Sequence, residues 1–143
     1  MRRSGFTLIE VLLSVALIGL ITGTGAVVYQ QLQSRNDLNV AAVTVVAQYR
    51  RAQVLSRASD ADTTWGVRVD VGTITLFRGA SYAARAITFD EVSLVPSTIT
   101  PSGFQEVVFA KLTGLPQTIG ALTLTGPNDS RTITLNAQGT VLY

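Results

Sequence analysis

The hydropathic pattern of the chain changes twice. From Phe6 to Val28 apolar residues follow one another with a single ionisable side chain, Glu10. A run of that length crosses the roughly 30 Å hydrocarbon core of a bilayer as one helix. From Tyr29 to about Ala58 there is neither Pro nor Gly, and Leu38, Ala42, Val45, Tyr49, Ala52 and Leu55 recur at spacings of three and four. That spacing predicts an amphipathic helix, with Gln31, Arg35, Asp37, Gln48 and Arg51 falling largely off the apolar stripe. Phe6 to Ala58 is then one helix, about 80 Å long at 1.5 Å per residue.

Beyond Asp60-Ala61-Asp62 the period shortens. Trp65, Val67, Val69 and Val71 alternate with Gly66, Arg68 and Asp70, the pattern of a half-buried strand, and Gly72 turns the chain into Thr73–Phe77. Ala86–Val95 is rich in β-branched residues up to Pro96, and Glu106–Ala110 is short and apolar. Leu122–Leu124 pairs with Ile133–Leu135 across Gly126-Pro127-Asn128-Asp129, and Gln138-Gly139 turns into Val141 and Leu142. The predicted fold class is α+β: a long N-terminal transmembrane and amphipathic α-helix packed on a C-terminal antiparallel β-sheet domain or small sandwich. Its segments are 6–28, the membrane half of the helix, 29–60, the amphipathic half, and 61–143, the β-rich domain, with no second domain, low-complexity linker or repeat.

Glu10 is the anomaly in this pattern. A carboxylate near the start of a spanning helix costs on the order of a few kcal/mol and is kept mainly where it has a partner or a task. It could also snorkel to the headgroups, where it suits the positive end of the helix dipole. Gly19 and Gly23 stand at the small-xxx-small spacing that lets helices approach closely, although glycines also weaken a helix and could mark a stretch that loosens. Arg2 and Arg3 precede the span and no comparable cluster follows Val28, so the C-terminal domain faces away from the cytoplasm. An ordinary secretory signal, with Met1-Arg2-Arg3 as its basic region and cleavage near Thr24-Gly25-Ala26, is opposed by Glu10 and by the length of the apolar run.

Composition narrows the chemistry. The 143 residues include no Cys and no His, which removes thiol nucleophiles, imidazole bases, disulfides and the usual zinc or copper ligands. Enzymatic activity and a bound cofactor are therefore not expected. Asp60 and Asp62 alone fall short of a calcium loop and read better as a solvated turn. Arg50, Arg51 and Arg57 on the helix, and Arg78 and Arg85 about Tyr82, read either as solvated charges or as partners for an acidic neighbour.

Gly5-Phe6-Thr7-Leu8-Ile9-Glu10, behind a short basic leader and opening an apolar helix, resembles the prepilin cleavage motif of type IV pilins and type II secretion pseudopilins. The resemblance implies that a membrane prepilin peptidase removes residues 1–5 by cutting between Gly5 and Phe6, that Phe6 becomes N-methylated, and that Glu10 serves filament assembly. A new α-amine at Phe6, with an unperturbed pKa of about 8, would be largely cationic. In a low-dielectric interior, pairing it with a Glu10 carboxylate is the cheapest state for both charges. If the amine belongs to a neighbouring subunit, that pair sets the register between helices. Loss of Arg2 and Arg3 leaves 9 basic and 9 acidic side chains, so the sequence pI of 9.4 gives no case for nucleic-acid binding.

Trp65-Gly66-Val67-Arg68-Val69, Val107-Val108-Phe109-Ala110 with Gly114, and Ile133-Thr134-Leu135-Asn136 with Gly139-Thr140-Val141 look like the minor pseudopilin H branch, which includes the FimT-like minor pilins. That implies a minor subunit of a type IV pilus or a type II secretion pseudopilus. Its expected partners are other pilin or pseudopilin subunits, the peptidase, the inner-membrane assembly platform and, before assembly, membrane lipid. It would begin as a single-pass inner-membrane protein and end in a periplasmic or extracellular filament. DNA uptake is the alternative within the branch, yet the tail from Ala137 to Tyr143 carries no Lys or Arg, the nearest cation being Arg131. A membrane-anchored extracytoplasmic binding domain is the alternative outside it.

Overall fold

The computed structural model describes residues 5–143, apart from the side chains of residues 24–27; the leader residues 1–4 lie outside what is described, and at the alternative cleavage point Thr24-Gly25-Ala26 only the helical backbone is described. Helix α1 runs over Leu8–Arg57. It begins two residues later than the apolar pattern predicts, because the Thr7 carbonyl accepts the first turn's bonds from the Glu10 and Val11 amides at 3.1 and 3.2 Å. Its end is set without glycine or proline. Ser59 takes a left-handed conformation at φ 51°, followed by Ala61 at 53° and Asp62 at 59°, which only a few per cent of non-glycine residues adopt. The chain divides into two compact units, residues up to Gln33 and residues from Ser34 onward.

In the first unit the apolar side chains face outward on every side of the helix, among them Leu12, Leu13, Ile18 and Leu20. The best window has a mean hydropathy of 2.3 with none of it buried, so by length and composition this helix can cross a membrane. Two of its hydroxyls are satisfied by the helix itself: Ser14 Oγ donates to the Glu10 carbonyl and Thr22 Oγ1 to the Ile18 carbonyl, both at 2.7 Å. A polar side chain so bonded needs no water.

The second unit is built on two four-stranded antiparallel sheets. β1 (Trp65–Asp70), β2 (Thr73–Arg78), β3 (Glu91–Leu94) and β5 (Glu106–Phe109) form one, in the order β3-β2-β1-β5. β4 (Thr100–Gly103), β6 (Gly120–Thr125), β7 (Ser130–Leu135) and β8 (Val141–Leu142) form the other, in the order β4-β6-β7-β8. The α1 stripe Leu38, Ala42, Val45, Tyr49 and Ala52 is buried against Trp65, Val67, Ile74, Leu76 and Phe109 of the first sheet and Leu122, Leu124, Ile133 and Leu135 of the second. The fold is α+β, a helix packed on antiparallel sheets. Leu55 is only partly buried, and Val71 falls in the turn and is exposed.

The first sheet is covered on its other face too. Gly66 stands opposite Phe77, and a Cβ there would sit 2.5 Å from Phe77 Cζ and 2.7 Å from the Val107 carbonyl oxygen, so only glycine fits. Tyr82 packs edge-on against Phe77 at 5.6 Å, and its amide donates to Glu106 Oε1 at 2.9 Å. The segment between β2 and β3 is thereby strapped over the sheet.

Two elements differ from the sequence pattern. Ala86–Val95 is not one strand: Ile87–Phe89 forms a 3₁₀ turn, and pairing begins only at Glu91. The Ala86 amide is held by the Arg78 carbonyl at 2.9 Å, and the Arg78 guanidinium sits 4.5 Å over the Phe89 ring, so contacts back to β2 override β propensity there. β4 escaped the pattern because it contains Pro101 and Gly103. It lies at a sheet edge, where a missing N–H breaks no ladder.

Candidate processing and assembly segment

Gly5, Phe6 and Thr7 precede the helix in non-helical, exposed backbone, and Phe6 is 82 % exposed. The Gly5–Phe6 bond is thus open to an external enzyme before the helical ladder begins. A Cβ on Gly5 would meet nothing within 4 Å, so no packing within the chain explains the glycine. Glu10 is exposed in the first helical turn, where the helix dipole favours a carboxylate. Gly19 and Gly23 are equally open, with nothing within 4 Å of an added Cβ. Their smallness serves no contact inside this molecule.

Other sequence-predicted positions are engaged within the β-rich unit. Arg51 pairs with Glu91 at 2.6 Å, and Arg85 pairs with Asp90 at 2.7 Å while stacking 3.7 Å over Tyr82. The hydrogen bond from Arg85 to Asp90 raises the guanidinium pKa further above its ordinary value, so that pair stays ionised. The acidic neighbours open to these arginines are therefore in the same chain. Among the described residues each Lys or Arg beyond Asp60 has a carboxylate, carbonyl or aromatic partner: Arg68 with Asp70, Arg78 with the Ala61 carbonyl, Lys111 with Asp62, Arg131 with Asp129. Cations spent in this way do not form the groove of unpaired charge that a phosphate backbone needs. Asp62 is already neutralised by Lys111, and the described residues hold no group of three or more potential metal ligands.

The last turns of α1 hold the loops whose glycines stand out in the sequence. Gln53 Nε2 donates to the Gly114 carbonyl at 3.0 Å, Arg57 Nε donates to the Thr113 carbonyl at 3.2 Å, and the Leu112 amide donates to the Ser56 carbonyl at 2.9 Å. Gly114, at φ 64°, lies so close to Arg57 that a Cβ would come within 2.5 Å of its Cγ. The structure also forms a cleft of about 430 Å³ lined by Asn39, Ala42, Val43, Arg131 and Tyr143. These residues come from a helix, a strand and the chain end, and no local pattern in the sequence announces their meeting.

Residues 1–26 match the family described as the prokaryotic N-terminal methylation motif. This segment is a type IV pilin-like signal, and it contains Gly5, Phe6 and Glu10. No curated protein and no solved structure matches the chain. The match ends before the β-rich unit begins.

Proposed function

We propose that the chain is a structural subunit, a minor pilin or pseudopilin, of a type IV pilus or a type II secretion pseudopilus. The observation that carries this reading is the methylation motif over residues 1–26, with its Gly5–Phe6 bond in exposed, non-helical backbone that leads directly into the apolar helix. A prepilin peptidase cuts there, Phe6 becomes the methylated N-terminus, and Glu10 pairs with the Phe6 amine of a neighbour as the helix leaves the membrane. Gly19 and Gly23 give adjacent helices a close approach. The C-terminal domain faces away from the cytoplasm, and the subunit's role is mechanical.

The glycine-rich strand motifs favour the pseudopilin H branch by pattern alone, since Gly66 and Gly114 already have packing reasons within this chain. DNA uptake draws no support from the paired cations of the β-rich unit.

Co-expression with a prepilin peptidase, followed by mass spectrometry of the N-terminal peptide, tests the reading. A methylated Phe6 at the N-terminus that disappears in Gly5→Ala is expected. An intact N-terminus, or a cut near Ala26, would sink it and leave an anchored or secreted β domain.

A further inference from the structure

Two buried side chains of the β-rich unit do not belong to its core. Phe77 is fully buried and Val108 is 6 % exposed, yet neither joins the cluster around α1. The pairing of β2 with β1 and of β1 with β5 sets Phe77, Gly66 and Val108 in one row across the first sheet. Their neighbours along the strands, Trp65, Val67, Leu76, Val107 and Phe109, are in the core, so strand alternation puts this row on the opposite face. The segment between β2 and β3 lays Tyr82 on that face, edge-on to Phe77, and none of residues 79–90 is itself buried.

The hold of this segment on the sheet is narrow. Besides the ring contact with Phe77, its contacts are ionic or charge-assisted. The Tyr82 amide donates to Glu106 Oε1 at 2.9 Å, and Glu106 pairs with Arg68 at 3.5 Å. The Arg68 and Arg85 guanidinium groups lie 5.7 and 3.7 Å from the centre of the Tyr82 ring. Arg85 is tied in turn to Asp90 and to the Tyr82 carbonyl, both at 2.7 Å. Asp90 Oδ1 is buried without a hydrogen-bond partner, so the closed arrangement carries an unsatisfied acceptor that water satisfies on opening. The two ends are fastened by backbone instead. Gly79 and Thr64 exchange two hydrogen bonds, at 3.0 and 2.8 Å, and the Ala86 amide donates to the Arg78 carbonyl at 2.9 Å. Residues 80–85 are then a loop closed at its base and held by one aromatic anchor, the kind of segment that opens at a free energy below that of the whole fold.

We propose that residues 80–85 are a strap that swings off the first sheet between Gly79 and Ala86 while the rest of the β-rich unit stays folded, uncovering the apolar row of Gly66, Phe77 and Val108. The outer face of the sheet thereby has two chemistries, charged and aromatic when the strap is down, apolar when it is up. A partner that binds one of these faces shifts the balance between them. The device rests on contacts within residues 64–108 and owes nothing to the processing reading, which concerns residues 1–26.

The chain has no cysteine of its own, so one thiol reports one place. Full-length chains in detergent micelles carry either Val108→Cys, in the row under the strap, or Val107→Cys, on the core side of the same strand. With a maleimide as probe, Val108→Cys is expected to react on the order of 100-fold faster than Val107→Cys, because the first waits for the strap and the second for unfolding. Adding Tyr82→Ala is expected to raise the Val108→Cys rate several-fold, with the Val107→Cys rate and the melting temperature unchanged. In the wild type, hydrogen exchange should find the Tyr82 amide opening while the Gly79 and Ala86 amides keep the protection of β1. Equal rates for the two thiols, or a Val108→Cys rate indifferent to Tyr82→Ala, would overturn the proposal. So would Gly79 and Ala86 amides that exchange as fast as that of Tyr82, or a melting temperature that falls with Tyr82→Ala, since either makes the strap part of the cooperative core. No step involves cleavage, so a negative result leaves the Gly5–Phe6 reading standing, and a failure of cleavage leaves this one.

Discussion

Leu13 and Leu122 carry the same side chain in opposite surroundings. Leu13 is 62 % exposed on a helix whose neighbours are equally apolar, whereas Leu122 is fully buried between α1 and the second sheet. The β-rich unit consumes its apolar surface internally. The N-terminal helix consumes almost none, and its apolar surface is left for lipid or for other helices. Burial in the one region creates stability, and exposure in the other creates an address. The same division holds for glycine: Gly66 and Gly114 are fixed by atoms of their own chain, while a Cβ added at Gly5, Gly19 or Gly23 would meet nothing within 4 Å. For Gly19 and Gly23, glycine is costly in a helix and no packing inside this chain explains it.

The largest test of this contrast is a matched pair of truncations. Leu122→Ala is expected to destabilise the β-rich unit by about 2–5 kcal/mol, because a buried leucine leaves a cavity. Leu13→Ala is expected to leave thermal unfolding in detergent unchanged and to weaken membrane retention instead. If both variants shift the melting temperature equally, the two regions share one core and the contrast fails.

A smaller effect concerns polarity inside the packed region. Tyr49 is buried against Phe109, at 6.5 Å between ring centres, and its hydroxyl has no hydrogen-bond partner. Burial raises the pKa of this phenol well above its ordinary value of about 10. Its neutral form is thus favoured in the folded state. The folded chain then holds a proton that the unfolded chain gives up, so stability is intact below pH about 10 and falls above it, by up to about 1.4 kcal/mol per pH unit. Denaturant titrations across that range should show this loss in the wild type and not in Tyr49→Phe. At neutral pH the variant should be unchanged or more stable by about 1 kcal/mol, since it removes an unsatisfied buried group.

The smallest effect is expected at the surface of the same unit. Arg51 and Glu91 are both about half-exposed, and solvent screens their attraction. Arg51→Ala should cost no more than about 0.5 kcal/mol in equilibrium unfolding. A loss several times larger would mean that the helix-to-β3 contact holds the domain together, and that surface charge and core packing are less separable than the comparison says.

How much of this was legible beforehand depends on how local the physics is. The apolar run, Glu10 within it and the three-and-four stripe from Leu38 onward are short-range signals, and they sufficed for a membrane-compatible helix, its buried face and the motif at Gly5–Phe6. Strand alternation gave Trp65, Val67 and Val69 their inward places for the same reason, since successive side chains of a strand point to opposite faces. What no window of sequence contained was the choice made by distant partners. Arg78 drew Phe89 out of a strand, an edge position allowed Pro101 into one, and α1 fixed Gly114 from 57 residues away. The cleft beside Arg131 is of the same kind, since its lining comes together only when α1, β7 and Tyr143 have taken their places. By itself the sequence determined the helix, its apolar surface and the methylation motif, because these depend on periodicity and on a few adjacent side chains. The tertiary structure alone decided which glycines are internal necessities and which charges are already paired, because each depends on atoms brought together across the chain.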